Sequence, residues 1–135
     1  MKAQSALEYI VIVGISLGLI TLFGAYAWQE NEINTRARQA EIAVAQIAST
    51  ADNLYAQGPG ARSTINVYFP VGYQGDQSSV TKQNKTIIVV YTMPTGFGNA
   101  IAATKANVTG YLPNSSGYKQ LKMEVIGGNV NITSS

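Results

Sequence analysis

Cysteine and histidine are both absent from the 135 residues, and proline (four residues) and charge (12% Asp, Glu, Lys and Arg) are scarce. Without thiols, no disulfide can staple a small domain and no thiolate is available for metal or nucleophilic chemistry. Without imidazole, the usual proton shuttle near neutral pH is missing, and any metal site would need oxygen ligands. The seven acidic residues are dispersed along the chain, so they offer neither paired carboxylates for acid–base work nor an oxygen cage. There is no Gly-rich phosphate cradle, and the serines have no evident activating partner. These absences speak against an enzyme, and no cofactor is expected. The net charge is +2 and the nine Lys and Arg form no cluster, so the basic footprint that nucleic-acid binding requires is also missing.

Charge is scarcest near the start. Residues 9–28 are 20 consecutive uncharged positions, interrupted only by Ser16, Thr21 and the small Gly14, Gly18 and Gly24. As a helix this run spans about 30 Å, the thickness of a bilayer core. A cleaved secretory signal is the competing reading, since Lys2 precedes the run and Ala25 and Ala27 offer a small-x-small pair. The run is longer than such a signal needs, however, and it begins beside an acidic residue, Glu8.

The helical pattern continues past Trp28. No Pro or Gly occurs until Gly58, and Ala, Gln, Glu and Arg favour helix. Ile33, Ala37, Ala40, Val44, Ile47, Ala48, Ala51, Leu54 and Tyr55 recur at spacings of three and four, an apolar stripe on a partly solvated helix. Arg36, Arg38 and Glu41 read as its solvated face. The pattern predicts one helix over residues 4–57, about 80 Å long, comprising a hydrophobic segment 4–28 and an amphipathic continuation 29–57. Gly58-Pro59-Gly60 should end it.

Beyond Arg62 the period becomes two. "STINVYFP" sets Thr64, Asn66 and Tyr68 against Ile65, Val67 and Phe69, a half-buried strand. "KTIIVVYTMP", "KANVTGYLP" and "YKQLKMEVIGGNVNITS" follow as further strands, with "TGFGNAIAATKA" the least distinct segment. The fold class expected is α+β: one very long N-terminal helix, then a domain over residues 62–135 of four to six mostly antiparallel strands forming a small sheet or sandwich on the second half of the helix.

The opening "QSALEY" resembles the start of archaeal type IV pilin-like proteins with class III signal peptides, in which a short leader ends before a Gln and a Glu follows four places later, ahead of a hydrophobic helix. Gln4 matches the Gln, Glu8 the Glu and Tyr9 the adjacent aromatic. The family often has Ser two places after the Gln, whereas here that place is Ala6 and the serine is Ser5. Archaellin-type leaders differ, with a Gly near the cut. The resemblance implies a leader of residues 1–3, cut between Ala3 and Gln4 by a membrane prepilin peptidase. It further implies a membrane-inserted precursor, and extraction by an assembly ATPase and membrane platform into an extracellular homopolymer held by its N-terminal helices, with a role in adhesion. The alternatives are a non-polymerising membrane-anchored binding protein and an archaellum-related filament subunit.

Within that frame Glu8 is the sharpest candidate, because a carboxylate in hydrocarbon or a dry helical bundle needs a compensating charge. The amine freed at Gln4 is one helical turn away on the same chain, and the helix N-terminus also favours an anion. The plainer reading is that Glu8 marks the membrane interface. Gly14 and Gly18 form a Gly-x-x-x-Gly pair that, with Gly24, either admits a close neighbouring helix or is ordinary membrane-helix composition. Leu19 lies between them as an assembly position. Sequons at Asn84, Asn107, Asn114 and Asn131 are candidate N-glycosylation sites, with Asn114 favoured by its turn-like "LPNSSG" setting. Tyr73, Phe97, Tyr111 and Tyr118 are read by default as core aromatics, with adhesion or subunit packing the alternative.

Overall fold

The computed structural model describes Lys2–Ser134, with side chains from Gln4 onward. The expected leader therefore falls outside the described residues at Met1, and at Lys2 and Ala3 only the backbone is described. Helix α1 (Lys2–Gln57, 56 residues) is continuous, as the absence of Pro and the run of strong helix formers require. It ends where expected: Gly58 takes φ +93°, a left-handed conformation open to glycine, and Pro59 removes the next donor. Gly60 N–H then bonds to the carbonyl of Val125 (3.0 Å), tying the exit from the helix to the sheet.

The chain divides into two compact units, residues up to Asn34 and residues from Thr35 onward. The first is helix alone. The second holds the rest of α1 and seven strands: β1 (Arg62–Phe69), β2 (Ser79–Thr81), β3 (Thr86–Met93), β4 (Gly96–Ala103), β5 (Asn107–Gly110), β6 (Gly117–Ile126) and β7 (Asn129–Ser134). They form two sheets, β1-β6-β7-β5 and β2-β3-β4. Every pairing is antiparallel except the parallel β5–β7.

The seven strands exceed the four to six expected by one. The segment "YKQLKMEVIGGNVNITS" is a hairpin rather than one strand, because Gly127 (φ +56°) and Gly128 (φ +80°) together supply the two positive φ values of a tight primed turn. The three-residue β2 is too short to show a period of its own. The indistinct "TGFGNAIAATKA" contains β4, whose alternation is masked by small residues on its inner face, Gly98, Ala100 and Ala102.

The core of this unit lies between α1 and the inner faces of both sheets. Ala40, Ala43, Val44, Ile47, Ala48, Ala51 and Leu54 of α1 are buried with Val67, Phe69, Ile87, Val89, Val108, Leu121, Met123, Val125, Val130 and Ile132. The alanines let the helix backbone come close to the strands, while Ile47 and Leu54 fill the remaining space. Ala43 joins the expected stripe, whereas Tyr55 points largely outward at 46% exposure. Arg36 is not merely solvated: it is half-buried and donates to the carbonyl of Thr92 (3.2 Å), binding the helix to the end of β3.

Candidate functional site: the unburied apolar helix

All side chains of residues 4–32 are exposed. By length and composition the segment is apolar enough to cross a bilayer, and its apolar stretch is entirely unburied. Leu7, Ile12, Leu17, Ile20, Leu22 and Phe23 each keep between 59% and 72% of their surface open, and Trp28 keeps 79%. These residues point around the whole circumference rather than along a stripe, a pattern shared by membrane helices, signal-like segments and helices enclosed by other helices. Burying apolar area is worth roughly 25 cal/mol per Å², so this segment carries a large unused driving force for association or insertion.

The two aliphatic hydroxyls within the run need no outside partner. Ser16 Oγ donates to the carbonyl of Ile12 and Thr21 Oγ1 to that of Leu17, both at 2.8 Å. Such bonds to the preceding turn are how Ser and Thr sit in an apolar helix. A Cβ placed on Gly14, Gly18 or Gly24 would meet nothing within 4 Å, so nothing in the described chain explains these glycines. Gly14 and Gly18 share one face, four residues apart, and Leu19 beside them is 50% exposed.

Glu8 is exposed and has no ion pair among the described residues. Gln4, also exposed, lies one turn before it on the same face. Because α1 begins at Lys2, Glu8 falls beyond its first turn, where the helix dipole gives little support.

Elsewhere, Asn84 and Asn114 are exposed in loops, while Asn107 on β5 and Asn131 on β7 are half-buried within strands. Of the four aromatics read as core, Tyr73 alone is buried; Phe97, Tyr111 and Tyr118 are 61%, 84% and 79% exposed. The outer faces of β4 and β6 carry two of them. Tyr118 leans on its cross-strand partner Tyr68, ring centres 5.0 Å apart. Tyr73 packs against Phe69 with tilted rings (centres 4.6 Å apart), and its Oη has no hydrogen-bond partner among the described residues. Burial pushes its phenol above the ordinary value, and the nearby Ser78 hydroxyl works more weakly in the other direction. Ser78 itself donates to Gln74 O (2.7 Å) and accepts from Val90 N–H (2.9 Å), so it acts on Tyr73 through proximity rather than a well-formed bond.

A cleft of about 600 Å³ opens where β2 approaches the end of β5, lined by Asp76, Ser78, Val80, Tyr111, Leu112 and Asn114 among others. Asp76 and Tyr111 are its titratable groups, and they do not constitute an acid–base pair of the kind that proton transfer at neutral pH needs. Among the described residues no group of three His, Cys, Asp or Glu gathers in one place. The internal bonding of Ser16 and Thr21 and the tie from Arg36 to β3 were not anticipated from the sequence. An i−4 carbonyl is available to any mid-helix hydroxyl, so the first was legible in principle; the second depends on the tertiary fold.

The chain matches no protein-family model, and no curated protein or solved structure matches it either.

Proposed function

We propose that this chain is the structural subunit of an extracellular filament of the archaeal type IV pilus kind, made as a membrane-inserted precursor and processed before Gln4. The observation that carries the reading is the first helical segment, apolar on every side and wholly unburied, joined in sequence to a small β domain with its own core. An architecture of one long apolar helix followed by a sheet domain suits a filament-forming subunit, because lipid can hold the helix before assembly and a bundle of equivalent helices can hold it afterwards.

In this reading the Glu8 carboxylate pairs with the amine freed at Gln4, of the same or a neighbouring subunit, and Gly14 and Gly18 admit a neighbouring helix. The β domain forms the outer surface, with Asn84 and Asn114 as its accessible glycan acceptors. A prepilin peptidase, an assembly ATPase and a membrane platform act on the chain during biogenesis. The test is to shear and purify surface filaments from the native host and sequence their dominant protein. The expected result is this chain beginning at Gln4. Recovery of the chain solely as monomer from membranes would instead favour an anchored binding protein.

A further inference from the structure

The four sheet edges are treated very differently. β2 is three residues long and is followed by Lys82 and Lys85, and β5 is four residues long and approaches β2. β1 begins with Arg62 and has the carbonyl of Asn66 taken by Gln46 of α1 (3.2 Å). These are the usual means of blunting an edge: brevity, charge and cover. β4 has none of them. Its eight residues, GFGNAIAA, contain no charge and no proline, and its register with β3 runs unbroken without a bulge. No charged residue occurs between Lys85 and Lys105, so β3 and β4 are both neutral.

The direction of the free peptide groups follows from β3. Val90 and Thr92 turn their peptide groups away from β4: Gln74 N–H donates to Val90 O, Ser78 Oγ accepts from Val90 N–H, and Gly72 O accepts from Thr92 N–H. Their β4 partners, Asn99 and Phe97, must therefore point their own peptide groups outward, and the alternation extends this to Ile101 and Ala103. Among the described residues these outward groups have no hydrogen-bond partner. The side chains of the same residues are exposed, Phe97 at 61% and Ile101 at 56%.

We infer that β4 pairs antiparallel with β4 of a second copy of this chain, about a two-fold axis at Ala100. This register sets Phe97 against Ala103 and Asn99 against Ile101, with their reciprocals, so every outward peptide group finds a partner; a shift of two residues leaves some unpaired. It matches a large side chain to a small one. The Lys105 residues lie at opposite ends of the joined strands, so no like charges meet. A neutral, mostly apolar edge offers no counter-charge to a charged peptide, whereas the chain's own β4 matches it in both peptide groups and side chains. One strand pair covers far less than the roughly 1,600 Å² of a stable complex, so the contact is weak singly and strong when repeated.

The pairing concerns the chain alone, but its consequence rests on the filament reading. Subunits of one polar filament are related by a screw operation and not by a two-fold axis, so β4 pairing joins two filaments side by side. The test expresses the full-length chain in the native host with Ile101→Lys, which puts like charges into the seam, and Asn99→Pro, which deletes an outward N–H at an edge position that tolerates proline. Asn53→Lys adds the same charge at an exposed helix position as a control. By electron microscopy, wild type and Asn53→Lys should form bundles, while both β4 variants should form single filaments in unchanged number, with the bundled fraction down at least tenfold. Bundling that persists in the β4 variants overturns the inference.

If no filaments form even from wild type, the filament reading fails, and the pairing is decided separately. The cysteine-free chain with Asn99→Cys carries a spin label in detergent at high concentration. Dipolar broadening that is lost on adding Ile101→Lys supports the pairing, and its absence overturns it.

Discussion

The Asp52 carboxylate of α1 accepts the peptide N–H of Lys105 at 2.7 Å, and the same oxygen accepts that of Ala106 at 3.1 Å. One side chain thus satisfies two donors in the connection between β4 and β5 and fastens that turn to the helix. Asp52→Ala should lower the stability of the β domain by about 1–3 kcal/mol, since two peptide donors lose their acceptor. Asp52→Asn, which keeps a carbonyl oxygen, should cost less. Urea unfolding of the full chain in detergent measures both.

Tyr73→Phe tests the buried phenol. Its hydroxyl has no hydrogen-bond partner among the described residues, so removing it should leave stability unchanged or slightly raised near neutral pH. Because burial lifts the folded-state phenol above 10.0, the folded state holds its proton where the unfolded chain releases it. Wild-type stability should therefore fall as pH rises beyond that value and through the raised value, and Tyr73→Phe should lose that part of the decline. An identical alkaline dependence in the two proteins would contradict the assignment.

Ile47 is fully buried between the helix and both sheets. Ile47→Ala should cost about 2–5 kcal/mol by lost burial and the cavity left behind. Ile42→Ala, at a position 65% exposed on the same helix, should change little. Thermal melts of the two variants separate a packed stripe from a merely apolar one.

If the proposed pairing of Glu8 with a Gln4 amine holds, Glu8→Gln should leave precursor insertion and the β domain intact while reducing filament number at least tenfold. Leu19→Asp should abolish filaments, placing an unpaired charge among packed helices. Microscopy together with membrane fractionation reads both outcomes. Normal filaments from Glu8→Gln would remove the residue from assembly.

The long helix was legible because its evidence is local and repeated: an uncharged run, a stripe at spacings of three and four, and a Gly-Pro-Gly stop. The strands with large alternating residues, such as β1, were legible for the same reason. What escaped was set by partners distant in sequence. β4 hides its alternation behind Gly98, Ala100 and Ala102; the parallel β5–β7 pairing leaves no mark on either strand alone; and the exposure of Tyr118 depends on which face of the sheet α1 covers, that of Tyr111 on the loop after β5. In the apolar segment, the sequence identified Glu8, Gly14, Gly18, Leu19 and Gly24 as positions of interest, and the fold adds that none of the glycines is explained by contacts within the described chain.

Ser16 and Thr21 have a consequence for how such a helix can travel. Each hydroxyl gives its proton to a carbonyl of its own helix, so neither depends on the medium around it. Water, acyl chains or the flank of another helix can succeed one another at this surface without breaking a side-chain hydrogen bond at either position. Changing surroundings then involves dispersion and apolar burial at these sites, with no polar toll to slow the passage from one environment to the next.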